Sequence, residues 1–148
     1  MSQNTWTVVA DSSQAIIYEG APMGDNLQKI EKFINEDATK DKKELETDGP
    51  GQAFNRHGPG QHSMTKEVSA SEHVTKMFSK TVADYLQHAR ANSNYARLII
   101  VADPTFLGEL RDSLDTATAR LVVDTIDHNI THMNAKQIRT YLKEHVEL

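Results

Sequence analysis

The residues best suited to recognition chemistry fall in one stretch, Thr47–Ser63, which spells Gly-Pro-Gly-Gln twice, at Gly49–Gln52 and at Gly58–Gln61. Gly49, Gly51, Gly58, Gly60, Pro50 and Pro59 lie within it. Glycine costs backbone entropy and proline lacks an amide donor, so this composition predicts a loop and not a helix interior or a central strand. A long irregular run inside a compact domain is either a plain connector or a functional element. Closely approaching glycines can cradle a phosphate, but the Lys-Ser/Thr of a nucleotide-binding loop does not follow them. The alternative is an extended arm with a polar tip, Gln61 or Gln52, attended by Arg56 and His62.

Two other groupings have chemical potential. Asp11, Asp103 and Asp127 each close an expected strand, and ligands of open α/β sheets bind at strand ends. Three carboxylates there suit Mg²⁺-dependent phosphodiester chemistry. The same residues also suit a hairpin turn, a helix cap and a loop start. His57, His62, His73, His128 and His132 lack the spacing of a metal motif, so no metal site and no cofactor is expected. The chain has no cysteine, which removes disulfides, thiolate sites and cysteine nucleophiles.

The elements that must position these residues form an α/β pattern. Thr5–Ala10 and Gln14–Glu19 are β-branched and apolar, separated by the turn cluster Asp11-Ser12-Ser13, and predict an antiparallel hairpin. Leu27–Asn35 reads either as a short helix, from Leu27, Ile30 and Ile34, or as an edge strand. The charged run Glu36–Glu46 has no apolar face, and Lys40–Lys66 is expected to be flexible. Ser69 and Glu72 have the spacing of a capping box, predicting a helix to Ala91 with Val74, Met77, Phe78, Val82, Tyr85, Leu86 and Ala89 inward. Arg97–Ala102 is continuously apolar, as in a strand buried on both faces. Asp103 and Pro104 then open a helix carrying Leu107, Leu110 and Leu114. A strand follows over Ala119–Ile126, with Leu121–Ile126 as its core, and then a helix capped by Asn134.

The 148 residues suit one domain, 1–148, with a mixed sheet of about five strands flanked by helices. A net charge of −5 argues against an extensive nucleic-acid surface. No apolar run reaches the length of a membrane span, and the N-terminus lacks an export signal, so no membrane partner and a cytoplasmic location are expected. Oligomeric state has no signature in the sequence.

The order of hairpin, Leu27–Asn35, His57–Ser63, long helix, Arg97–Asp103 and Phe106–Leu110 resembles the middle domain of archaeal and eukaryotic class I release factors, which carries a Gly-Gly-Gln tip. More closely, Thr47–Gly51, Ile100–Pro104 and Leu107–Arg111 resemble blocks of the bacterial host attachment family, regarded as relatives of that domain. The resemblance implies an RNase H-like topology and makes Leu27–Ile34 a third strand. It also implies that Gln61 matches the glutamine assisting water attack on peptidyl-tRNA, and Gly60 the glycine before it. Pro59 departs from the pattern, fixing φ near −65° where the family has glycine. On this likeness the binding loop comprises Gly58, Pro59, Gly60, Gln61, His62 and Arg56, with Gly49, Gly51 and Gln52 in the first repeat. The implied partner is the ribosome or tRNA, in rescue and not in termination, because codon-reading and partner-binding domains are not among these residues. Any catalysis would be peptidyl-tRNA hydrolysis through Gln61. The residues leave two alternatives: the strand-end phosphodiesterase, and a plain protein-interaction module.

Overall fold

The computed structural model describes residues 4–21, 27–38 and 60–146, with 60–71 described by backbone alone. The strands are β1 (Thr5–Ala10), β2 (Gln14–Glu19), β3 (Gln28–Ile34), β4 (Arg97–Ala102) and β5 (Val122–Ile126). The helices are α1 (Gly60–Ala91), α2 (Pro104–Ser113), α3 (Thr116–Ala119) and α4 (Ala135–His145). One sheet results, in the order β3-β2-β1-β4-β5. Antiparallel pairs join β1 to β2 and β2 to β3, whereas β1, β4 and β5 pair in parallel. Only β2 runs against the other four.

The apolar strands occupy the middle of the sheet because helices cover both of its faces. On one face Trp6, Val8, Ile17, Leu98 and Ile100 pack against Phe78, Val82 and Leu86 of α1 and Phe106 and Leu110 of α2. On the other, Val9, Ile16, Tyr18, Ile99 and Val101 meet Ile138 and Leu142 of α4. The expected mixed α/β sheet with helices on both faces is therefore the architecture found.

β3 is a strand despite its helix-favouring residues. Its backbone groups pair with β2, and the Phe33 ring meets Tyr85 of α1 edge-on at 5.2 Å. Leu27 is buried just outside the strand, whereas Ile30 and Ile34 are exposed, so the helical stripe has no core to face. Each edge strand carries a bulge. The register passes over Ile30 between the Ile17–Glu31 and Tyr18–Lys29 pairs, and over Val123 between Leu98–Val122 and Ile99–Asp124. Bulges twist an edge away from regular pairing, one way in which sheets avoid adding foreign strands.

Three helix boundaries or faces differ from the sequence reading. α1 starts at Gly60 and not at Ser69, so the Ser69/Glu72 pair lies inside a 32-residue helix and does not mark its start. Residues 60–66, expected in the loop, form its opening turns. Met77, expected inward, is 48% exposed, because the buried stripe runs through Phe78, Val82 and Leu86 and turns Met77 off it. Ahead of β5, Asp115 caps the short helix α3 by accepting from the Thr118 amide at 2.8 Å, which removes Ala119 from the strand. The other starts agree with the sequence: Asp103 caps α2 with Pro104 in its first turn, and Asn134 and Gln137 form a reciprocal capping box on α4.

Candidate functional site

Gly60, Gln61, His62 and Ser63 form the first residues of α1, and Gly49, Gly51, Gln52, Arg56, His57, Gly58 and Pro59 lie outside the described residues. Phe78 is the first buried residue of this helix among the described side chains. It stands 18 residues after Gly60, or about 27 Å along the axis at 1.5 Å per residue. The intervening Glu72, His73 and Lys76 are exposed. Gln61 thus lies in the opening turn of α1, many residues ahead of Phe78.

The strand-end aspartates have separate structural duties. One oxygen of Asp11 accepts from the Ser13 and Gln14 amides at 2.8 and 2.9 Å, which closes the hairpin turn. Its other oxygen accepts from Asn129 Nδ2 at 3.1 Å and Thr131 Oγ1 at 3.2 Å, tying the turn to the loop before α4. Asp103 accepts from the Phe106 amide at 3.3 Å through Oδ2, while its Oδ1 is buried without a partner. Asp127 is exposed beyond β5. Among the described residues no three His, Asp or Glu side chains stand together as a metal site. The three aspartates therefore do not assemble into the ligand set that the phosphodiesterase alternative requires.

His73 and His132 are exposed. His128 Nδ1 lies 3.2 Å from the Tyr141 hydroxyl, and His145 stacks on the Tyr141 ring with centroids 4.0 Å apart. Burial pushes the Tyr141 hydroxyl above the usual phenol range, and the Asp127 charge adds to the effect. The sequence reading missed this cluster. The i, i+4 spacing of Tyr141 and His145 was its signal, since such pairs are neighbours on a helix. Between α1 and α2 a depression of about 550 Å³ is lined by Lys76, Lys80, Asp84, Glu109, Asp112 and Ser113. Beneath it Ser79 donates to the Lys76 carbonyl at 2.7 Å and lies 3.1 Å from Ser113 Oγ. Its charges are of both signs, so it offers no surface suited to one ionic ligand.

A mixed five-stranded sheet covered by helices on both faces defines the class as α/β. Within that class the chain belongs to the family described as "Protein required for attachment to host cells", which it matches over residues 6–142. No curated protein matches it. Among solved structures the chain is similar to the Aquifex aeolicus Ppx/GppA phosphatase, type II variant, at 13% identity and a TM-score of 0.40. That match covers 84% of this chain and 36% of the phosphatase chain. No helix among the described residues is long and apolar enough to cross a membrane.

Proposed function

We propose that this host attachment family protein is a cytoplasmic binding module for a ribonucleoprotein, the ribosome foremost. It presents Gly58–Ser63 at the start of α1 and acts in translation rescue. The observation carrying this reading is the opening of a 32-residue helix at Gly60-Gln61, about 27 Å along its axis from Phe78. A release-factor middle domain carries its glutamine on a loop ahead of a long helix, whereas here Gly60 and Gln61 open the helix itself; the strand order gives further support to that kinship and to an RNase H-like topology. The first turn of a helix also leaves backbone N–H groups without helical partners, which favours anionic groups such as phosphates. Arg56, Gly49, Gly51 and Gln52 complete the proposed contact element, with Gln61 as the residue able to direct water.

The test is co-sedimentation with ribosomes at low and moderate salt, comparing wild type with Gln61→Ala and Arg56→Ala. The expected outcome is ribosome binding that Arg56→Ala weakens and Gln61→Ala spares, with Gln61→Ala abolishing any peptidyl-tRNA hydrolysis. Alanine and glutamine have similar helix propensity, so Gln61→Ala should shift stability by less than about 0.5 kcal/mol. Absence of co-sedimentation even at low salt would overturn the proposal.

A further inference from the structure

The net charge of −5 conceals an uneven distribution. Ile138 and Leu142 turn one side of α4 into the core. Successive helical residues are rotated by about 100°, so Tyr141 and Lys143 fall on opposite flanks of Leu142, and Lys136 lies almost in line with Lys143. The Tyr141 flank faces the β5 side, because its hydroxyl meets His128 just beyond that strand. β3 and β5 are the two edges of the sheet, so the flank with Lys136, Arg139 and Lys143 turns toward β2 and β3. Lys136 and Lys143 are exposed.

The edge strand adds to this row through its bulge. Lys32 is opposite Ile16 and Lys29 is opposite Tyr18, and both partners belong to the core beneath α4. Directly opposed residues point to the same face of a sheet. Residues three apart in a regular strand would point to opposite faces, but the extra residue Ile30 restores Lys29 to the face of Lys32. Glu31, opposite Ile17, is sent to the other face, where its charge holds up the Tyr85 phenol pKa after burial has raised it. Lys29 and Lys32 are both exposed. On the opposite face of the sheet, Lys76 and Lys80 stand among Asp84, Glu109 and Asp112. Acidic residues also bound the lysine row: Glu36 and Asp37 follow β3, and Glu144 lies toward the Tyr141 flank.

We infer that Lys29 and Lys32 of β3, with Lys136 and Lys143 of α4, form a strip that binds the sugar–phosphate backbone of RNA without reading sequence. This rests on the ribonucleoprotein reading above and assigns it a second contact surface. A row of cations matches a linear polyanion, and lysine contacts to phosphate position a strand without specifying bases. The apolar side of α4 is committed to the core, leaving no amphipathic face to enter a lipid surface.

The test measures binding of a fluorescein-labelled oligouridylate across about 50 to 200 mM salt. Single-strand contacts contribute about 0.7 each to the slope of log affinity against log salt, so Lys136→Gln/Lys143→Gln should lower it by about 1.4. Lys29→Gln/Lys32→Gln should do the same, while Lys76→Gln/Lys80→Gln should leave it unchanged. Unaltered thermal melting of each variant establishes that the fold is intact. Equal losses from both faces, no RNA binding by wild type at low salt, or binding to phosphatidylserine vesicles in place of RNA would overturn the inference. Ribosome co-sedimentation that persists without oligouridylate binding would remove the strip alone. Lysine-dependent RNA binding without ribosome co-sedimentation would remove the ribosomal reading alone.

Discussion

Asp11 uses both carboxylate oxygens, and the distinction between them gives a selective substitution. Asparagine retains one acceptor for the Ser13 and Gln14 amides but places an NH₂ where Asn129 and Thr131 now donate. Asp11→Asn should therefore keep the hairpin turn and release the loop before α4, at a cost of about 1–2 kcal/mol in urea denaturation. An unchanged midpoint would show that other contacts hold that loop. Asp115 tests acid dependence. Its carboxyl is held below its ordinary value of 3.8, chiefly by the hydrogen bond with the Thr118 side chain, then by the Thr118 amide, with the Arg90 charge adding to them. Because the folded value is the lower one, this contribution is complete above the ordinary value and is lost as pH falls through the depressed one. Asp115→Asn preserves a good cap without the titration. It should flatten the acid limb of the stability profile, and a wild-type slope below about pH 4 would contradict this.

At the scale of elements, the end of α1 carries a local conflict. Asn94 N–H donates to the Ala89 carbonyl and Ser93 N–H to the Arg90 carbonyl, each at 2.9 Å, the paired bonds of a Schellman motif. The motif requires a left-handed residue, and Ser93 supplies it with φ of 59°. Glycine adopts that conformation without the Cβ clash, so Ser93→Gly should raise stability by about 0.5–1 kcal/mol. Thermal melting would detect the gain, and a loss would mean that the serine side chain contributes more than its conformation costs. The rest of this corner is well anchored: Tyr95 donates to the Leu86 carbonyl at 2.6 Å and stacks on Trp6 at 4.8 Å. Burial pushes its phenol above the usual range.

For the molecule as a whole, the two cores share one sheet. Val8 and Val9 are neighbours in β1 yet belong to opposite cores, so neither core can dissolve without disturbing the strand that serves both. Leu86→Ala on one face and Ile138→Ala on the other should each cost about 2–5 kcal/mol. Both should lower the midpoint of the same transition, followed by fluorescence of Trp6 and by circular dichroism. Separate transitions for the two probes would show that the faces unfold independently.

The sequence determined the elements whose signals are local or doubly buried. β4 announces itself because a strand covered on both faces is nearly continuously apolar, and β1 because its β-branched run leads into the turn cluster Asp11-Ser12-Ser13. Asp103-Pro104 and Asn134 mark helix starts because caps act through their own neighbouring amides. The family blocks at Ile100–Pro104 and Leu107–Arg111 were also legible, at the end of the interior strand β4 and in the helix that follows it. Only tertiary structure decided what depends on distant partners. For β3 the residues left helix and strand open and the family resemblance made it a strand; it is one because β2 offers it a ladder and Tyr85 receives Phe33, which outweighs a modest helix propensity. α1 begins at Gly60 although Ser69 has the better capping signal, since the same short pattern occurs within a helix interior. The aspartates at the ends of β1, β4 and β5 look like a ligand set in one dimension, yet the fold assigns Asp11 to a turn and Asp103 to a cap. The lysines at positions 29 and 32 share a face through a bulge whose existence is written in the register of two paired strands, and not in either strand alone.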